Sequence, residues 1–188
     1  SRPPVWEEVV KGRIGRLKLR GDAGNLDIWV CYLSAKSELE REAHMIAIAA
    51  RLLPAEAALS IIVVDFNFTV SNEDRWLKAT AEYSSENHPR CRAVLQERWK
   101  SNSNLQDIFQ DEHTCESGLV LSRIDRVYCN QHSSFRLDMH EGCTALGIQY
   151  GVSQHRAICC FRGRPQKKTG ASVPIPFLLY KPPSPRNR

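Results

Sequence analysis

Short runs of apolar residues, separated by polar turns, recur along the first 160 residues of the chain. Residues 13–20 partly alternate polar and apolar positions, and 26–33 is a second such run. Each run suits a half-buried strand, and the Gly-Asp-Ala-Gly-Asn segment at 21–25 has the composition of a turn. The two runs therefore predict a β-hairpin.

The pattern after the hairpin changes to a helical one and then back. Ser37 and Glu40 match a capping box, and the run 39–53 that follows is rich in Ala, Leu, Ile and Glu and ends at Pro54, which predicts a helix. The mostly β-branched run 59–64 predicts a strand that is buried on both faces.

The second half of the chain carries weaker signals of the same two kinds. They indicate a loop at 71–88 that could hold a short helix at 74–83, a second helix at 92–100, and strands at 119–129, 147–151 and 156–162. Strands that alternate with helices and loops predict a layered α/β or α+β fold.

Composition and charge narrow the class of protein. A chain of 188 residues with 42% hydrophobic residues can bury a core without disulfides or metal, and no apolar run is long enough to span a bilayer. The net charge is +5, yet no acidic residue follows Glu141, while eight Lys and Arg do. This basic end indicates either a polyanionic partner such as nucleic acid or a solvated tail.

The domain boundaries and the compartment are also predicted. We expect an N-terminal extension at 1–12, one domain at 13–163 and a basic, Pro-rich tail at 164–188. The seven cysteines form no C-x-x-C pair, which argues against a zinc or thioredoxin-type site and favours a reducing compartment. With no signal region at the N-terminus, we expect an intracellular protein, in nucleus or cytoplasm, with no membrane partner.

Polar residues stand at or near the ends of the predicted strands: Tyr32, Asp65, Asn67, Asp125 and His155. Ligands of layered α/β folds collect at one edge of the sheet, beyond the strand ends. These five side chains could therefore meet there, although they are far apart in sequence.

Each of these residues also has a plain structural explanation. Asp125 stands between Arg123 and Arg126, where a local ion pair would account for it. His155 could be a structural histidine and Tyr32 a packing residue. Asp65 could cap a turn, and Asn67 could hydrogen-bond to loop backbone.

Four segments, taken together, resemble the endonuclease/exonuclease/phosphatase superfamily, whose members include DNase I-like nucleases and retrotransposon endonuclease domains. They are Ile-Trp-Val-Cys-Tyr-Leu at 28–33, Val-Val-Asp-Phe-Asn-Phe at 63–68, Ser-Arg-Ile-Asp-Arg-Val-Tyr at 122–128 and Gly-Val-Ser-Gln-His-Arg at 151–156. The resemblance spans residues 13–163, and retrotransposon-type domains are the most similar members.

The resemblance implies a four-layer α/β sandwich, two β-sheets flanked by helices, with a site for metal-dependent phosphodiester hydrolysis at one edge. Asp65 would activate the attacking water, and Asn67 would hold Asp65 and donate to the phosphate. His155 would donate to a phosphate oxygen, Asp125 would accept from its other ring nitrogen, and Tyr32 would donate its phenolic hydrogen.

The resemblance also implies a cofactor and partners. The cofactor would be Mg²⁺ or Mn²⁺, which prefer oxygen ligands, and the substrate a nucleic acid, DNA in the first place. A reverse transcriptase on the same parent polypeptide is a further expected partner. The candidate nucleic-acid-binding residues are the basic ones near the end of the chain: Arg156, Arg162, Arg164, Lys167 and Lys168.

Three departures from the family pattern bear on activity. Val64 replaces a glycine, and Gln154 replaces an aspartate, which leaves it a weak candidate metal ligand. The family's N-terminal part, with its metal-binding glutamate, has no counterpart, and Glu7 and Glu8 do not match its motif. We therefore expect an N-terminally truncated domain of impaired activity.

Three functions remain open at this point. The first is a Mg²⁺-dependent DNA endonuclease of retroelement type. The second is a catalytically inactive relic that binds nucleic acid, favoured by Gln154 and the missing glutamate. The third is a hydrolase of small phosphodiesters on the same scaffold.

Overall fold

A six-stranded mixed sheet is the centre of the molecule. The structure is a computed structural model, and it describes residues 2–22, 24–84, 87–108, 110–130, 143–145 and 153–160. The strands of this sheet, numbered in chain order, are β1 (Val5–Val10), β2 (Ile14–Gly21), β3 (Gly24–Tyr32), β4 (Leu59–Asp65), β7 (Gln106–Asp107) and β10 (Asp125–Cys129). The order across the sheet is β1-β2-β3-β4-β10-β7. Only β3 and β4 run parallel, so both end at the edge where antiparallel β10 begins.

The predicted β-hairpin is confirmed as β2 and β3. Its register pairs Ile14 with Cys31 and closes at Gly21 and Gly24, where a φ of +122° at Gly24 requires glycine. The segment 1–12, which we expected to precede the domain, contains β1 and extends this sheet by one strand.

One face of the sheet carries the helices and the main core. Helix α1 (Glu38–Ala49) starts at Ser37, whose side chain accepts from the Glu40 N–H. The helices predicted at 39–53 and 92–100 are both present, the second as α2 (Pro89–Val94) followed by a π-helix, Leu95–Asn102. The first helix ends earlier than predicted, at Ala49. After it, the N–H groups of Arg51 and Leu52 donate to carbonyls three residues back, which forms a tight turn before Pro54. The buried core residues of this face include Trp29, Ile62, Val64, Phe66, Trp99 and Tyr128.

A second, four-stranded sheet corrects two predictions. It contains β5 (Arg75–Leu77), β6 (Glu82–Tyr83), β8 (Cys115–Ser117) and β9 (Val120–Ser122) in the order β6-β5-β9-β8. The helix predicted at 74–83 was wrong, because Trp76 and Tyr83 pack across β5 and β6 with ring centroids 4.9 Å apart. The strand predicted at 119–129 is two strands in different sheets, because the chain breaks at Arg123, whose N–H donates to the Asp74 carbonyl.

The opposite face of the six-stranded sheet carries a third, smaller element. Strands β11 (Cys143–Ala145) and β12 (Ile158–Cys160) pair antiparallel, and Ile158 packs against Val127 of β10. The last strand, predicted at 156–162, thus begins two residues later. The strand predicted at 147–151 and the tail at 164–188 lie outside the described residues.

The predicted α/β class, with two sheets and flanking helices, is confirmed. Of the flanking layers, the described residues show the helices on one face of the six-stranded sheet. None of the described helices combines the length and apolar character needed to cross a bilayer.

Candidate active site

Three of the predicted residues lie in one row across three neighbouring strands. Tyr32 ends β3 and is aligned with Asp65, which ends β4. Asp65 lies directly opposite Asp125, the first residue of β10. Adjacent strands are about 4.8 Å apart, and successive side chains alternate between faces. Because Val64 faces the helices, the row faces the side of the sheet that β12 covers.

His155 approaches this row from the segment that leads into β12. Its Nδ1 lies 2.8 Å from Oδ2 of Asp125, and both carboxylates are buried, Asp65 at 5% and Asp125 at 1% exposure. The geometry therefore brings Asp65, Asp125 and His155 together, as the strand-end argument predicted. The expected pairing of Asp125 with a ring nitrogen of His155 is present in the structure.

The same three residues define where a metal could bind. One ligand atom from each of Asp65, Asp125 and His155 lies within 4.8 Å of the others. The two carboxylates supply oxygen donors, which Mg²⁺ and Mn²⁺ prefer, whereas the Nδ1 atom of His155 is already hydrogen-bonded to Asp125. The donor set thus fits a hard divalent cation through its carboxylates.

The environment of His155 favours the imidazolium form. Burial by itself lowers the pKa of His155, but the hydrogen bonds and charges of Asp125 and Cys115 outweigh it and raise the pKa to about 11. Residues 115 and 155 form an isolated antiparallel bridge, which holds Cys115 against the ring. At neutral pH the protonated ring of His155 can therefore donate a hydrogen bond to an anion.

We expect the ring of His155 to stay protonated well above neutral pH. Its folded-state pKa of about 11 lies above the ordinary 6.5. The charged ring therefore stabilises the folded state fully below pH 6.5, and this contribution is lost as the pH rises towards 11. NMR titration of the ring protons, without divalent metal, measures this. Asp125→Asn should bring the pKa back towards 6.5, and a wild-type ring that titrates near 6.5 would contradict the pairing.

Asn67 holds Asp65 by its backbone. The Asn67 N–H donates to Oδ1 of Asp65 at 2.9 Å, and its side-chain amide donates to the carbonyl of Leu33 at 2.9 Å. Its φ of +52° lies in the left-handed region, which asparagine tolerates better than most residues. Asn67 therefore ties the end of β4 to the end of β3.

The substitution at Val64 is accommodated by the fold. Val64 is an ordinary residue of β4, fully buried against the helical face, where it is aligned with Cys31 of β3 and paired with Arg126 of β10. A glycine-only conformation is not required there, so the valine strengthens the core without straining the backbone.

A buried network that the sequence did not reveal positions Asp125. Oγ1 of Thr114 accepts from the N–H groups of Ile124 and Asp125, at 3.2 and 3.0 Å. The alternative explanation of Asp125, a local ion pair with Arg123 and Arg126, does not apply. Both pair with the fully buried Asp74 instead.

Asp107 and Gln110 complete this network around Asp74. Arg126 also pairs with Asp107, and Nη1 of Arg123 donates to the carbonyl of Gln110 at 2.8 Å. Burial raises the pKa of Asp74, but the charges of Arg126 and Arg123 outweigh it and lower the pKa. The carboxylate of Asp74 is therefore the ionised centre of the network.

The structure also describes Gln154 and the two glutamates near the N-terminus. Gln154 is exposed, and its carbonyl accepts from the Glu116 N–H at 3.0 Å. Glu7 lies on β1, three strand spacings or about 14 Å from β4, and pairs with Lys18 of β2. Glu8 accepts from the Gly12 N–H on the same strand pair, so neither glutamate reaches Asp65.

Of the predicted nucleic-acid-binding residues, the structure describes one. The Arg156 N–H donates to the carbonyl of Thr114 at 2.7 Å, next to His155. Arg162, Arg164, Lys167 and Lys168 lie outside the described residues and stay predictions.

No protein-family model matches the chain, and no curated protein matches it.

Solved structures match the fold. The endonuclease domain of TRAS1, a telomere-specific non-LTR retrotransposon, matches with a TM-score of 0.58 and 16% identity, over 87% of this chain and 70% of that one. An AP endonuclease from Archaeoglobus fulgidus matches with 0.53 and 13%, over 77% and 62%. The 3′ phosphatase NExo from Neisseria, bound to a product DNA hairpin, matches with 0.56 and 11%, over 81% and 65%.

The chain therefore has the DNase I-like fold of endonuclease/exonuclease/phosphatase proteins, as the four sequence segments predict. It spans about two thirds of the length of these structures.

Proposed function

We propose that this chain is a metal-dependent phosphodiester hydrolase that acts on nucleic acid. Its specific activity in this proposal is that of a DNA endonuclease of retroelement type. The observation that carries the proposal is the buried cluster of Asp65, Asp125 and the imidazole of His155 at one sheet edge. The fold is shared with two nucleases and with a phosphatase bound to DNA.

Each residue of the cluster has a role that follows from its contacts. Asp65, held by the Asn67 N–H, orients and deprotonates the attacking water. His155, kept charged by Asp125, donates a hydrogen bond to the phosphate oxygen on which negative charge develops. Tyr32 adds a phenolic donor from the neighbouring strand.

A divalent cation is part of the proposal. Asp65 and Asp125 would hold Mg²⁺ or Mn²⁺ through their carboxylate oxygens. When bound, such an ion neutralises phosphate charge and stabilises the leaving oxygen.

Nicking of supercoiled plasmid tests this function. With Mg²⁺ or Mn²⁺ we expect open-circular product, no product in EDTA, and a rate at least about 100-fold lower for His155→Ala. Product formation that is equal in wild type and His155→Ala would refute the proposal.

The second candidate is the inactive nucleic-acid-binding relic, and it is favoured by Gln154, a neutral residue where the resemblance implies an aspartate. It predicts no nicking with either metal but retention of DNA that weakens steeply as salt is added. The small-substrate alternative predicts hydrolysis of bis(p-nitrophenyl) phosphate without plasmid nicking. The three candidates thus give three different results.

A further inference from the structure

A cation extends the row of site residues by one strand. Arg13 precedes β2, and its carbonyl accepts from the Tyr32 N–H at 2.8 Å, which places Arg13 directly beside Tyr32. Its guanidinium lies over the Tyr32 ring, 4.9 Å from the centroid. The row across neighbouring strands is therefore Arg13, Tyr32, Asp65, Asp125: one cation, one phenol and two carboxylates.

The guanidinium of Arg13 is held in place without using its donors. Within the described residues, no hydrogen bond or ion pair engages it, whereas Arg16, Arg41 and Arg123 are each paired with buried acceptors. A hydrogen bond from Ser34, and last among the causes the charge of Arg13, lower the pKa of Glu40, and no ion pair joins Glu40 and Arg13 within the described residues. Arg13 is half-buried, so its five donors are oriented but available.

We propose that Arg13 binds a nucleic-acid phosphate adjacent to the one that is cleaved, with the Tyr32 ring as the platform that orients its guanidinium. The planar fork of arginine matches two phosphate oxygens, and a stacked guanidinium loses less freedom on binding. Arg13 lies two strand spacings, about 10 Å, from Asp65. This inference rests on the proposed function, since it assumes that the scissile phosphate sits over Asp65.

Binding measured without catalysis tests the inference separately from hydrolysis. Fluorescence anisotropy of a labelled duplex in EDTA, repeated at several salt concentrations, gives Kd and its salt slope. For Arg13→Gln we expect Kd to rise about fivefold or more and the salt slope to fall by about one. Arg51 lies in the turn that follows α1, away from the row of site residues. Arg51→Gln removes the same charge there and should leave Kd and the salt slope unchanged.

A conservative variant guards against a folding artefact. Arg13→Lys keeps the charge and should keep the wild-type salt slope, and circular dichroism of all three variants should match wild type. Equal binding by Arg13→Gln and Arg51→Gln would overturn the inference, as would a wild-type protein with no salt-dependent binding. Failure of plasmid nicking alone would refute the proposed hydrolysis while leaving an Arg13-dependent binding result in place.

Discussion

Replacing Asp65 by asparagine is expected to lower the rate of metal-dependent plasmid nicking by at least about 100-fold while leaving the fold intact. Asparagine keeps the size of the side chain and an oxygen that can accept from the Asn67 N–H. In the wild type this hydrogen bond to Asp65 is 2.9 Å long. What it loses is the negative charge, which is the property that activates water and attracts a divalent cation. The initial rate of open-circle formation measures the effect.

The matched control for this variant is Asp22→Asn. Asp22 is exposed in the turn between β2 and β3, at the opposite edge of the sheet, so its variant loses the same charge far from the row. We expect its rate to stay within about twofold of wild type, as is usual for exposed positions without special contacts. If Asp65→Asn nicks as fast as Asp22→Asn, Asp65 has no part in the chemistry.

The members of the site were predicted because polar residues at or near strand ends fall within four segments that resemble the superfamily. Tyr32 lies at the end of one apolar run and Asp65 directly follows another, and parallel neighbouring strands bring such ends to one edge. The exact row could not be predicted, because register depends on pairing between residues such as 65 and 125, which are far apart in the chain.

The errors have the same physical origin. Residues 74–83 have weak periodicity, and the cross-strand contact of Trp76 with Tyr83 overrides their helical tendency. The local ion pair that offered an alternative explanation of Asp125 is absent as well, because the guanidinium groups of Arg123 and Arg126 are buried against the carboxylate of Asp74. A partner about fifty positions away leaves no local signal in the sequence.

Replacing Asp74 by asparagine is expected to lower the free energy of unfolding by about 3–5 kcal/mol, the usual cost of breaking a buried ion pair from one side. The variant leaves Arg123 and Arg126, exposed by only 7% and 3%, without their shared countercharge. Urea unfolding followed by circular dichroism measures the loss. Glu73→Gln, the exposed neighbour in the same turn, should stay within about 0.5 kcal/mol of wild type.

The change in the free energy of unfolding at acidic pH is a second test of Asp74→Asn. Because the folded-state pKa of Asp74 is lowered from 3.8, its stabilisation is present above that value and is lost as pH falls through the folded-state pKa. Wild type should therefore lose stability on acidification more steeply than Asp74→Asn. Equal losses of stability on acidification together with equal urea midpoints would mean that Asp74 does not anchor the two arginines. Asp125, which lies between them in sequence, would then be positioned by the Thr114 hydroxyl, by the pairing with β4 and by the contact of its carboxylate with His155.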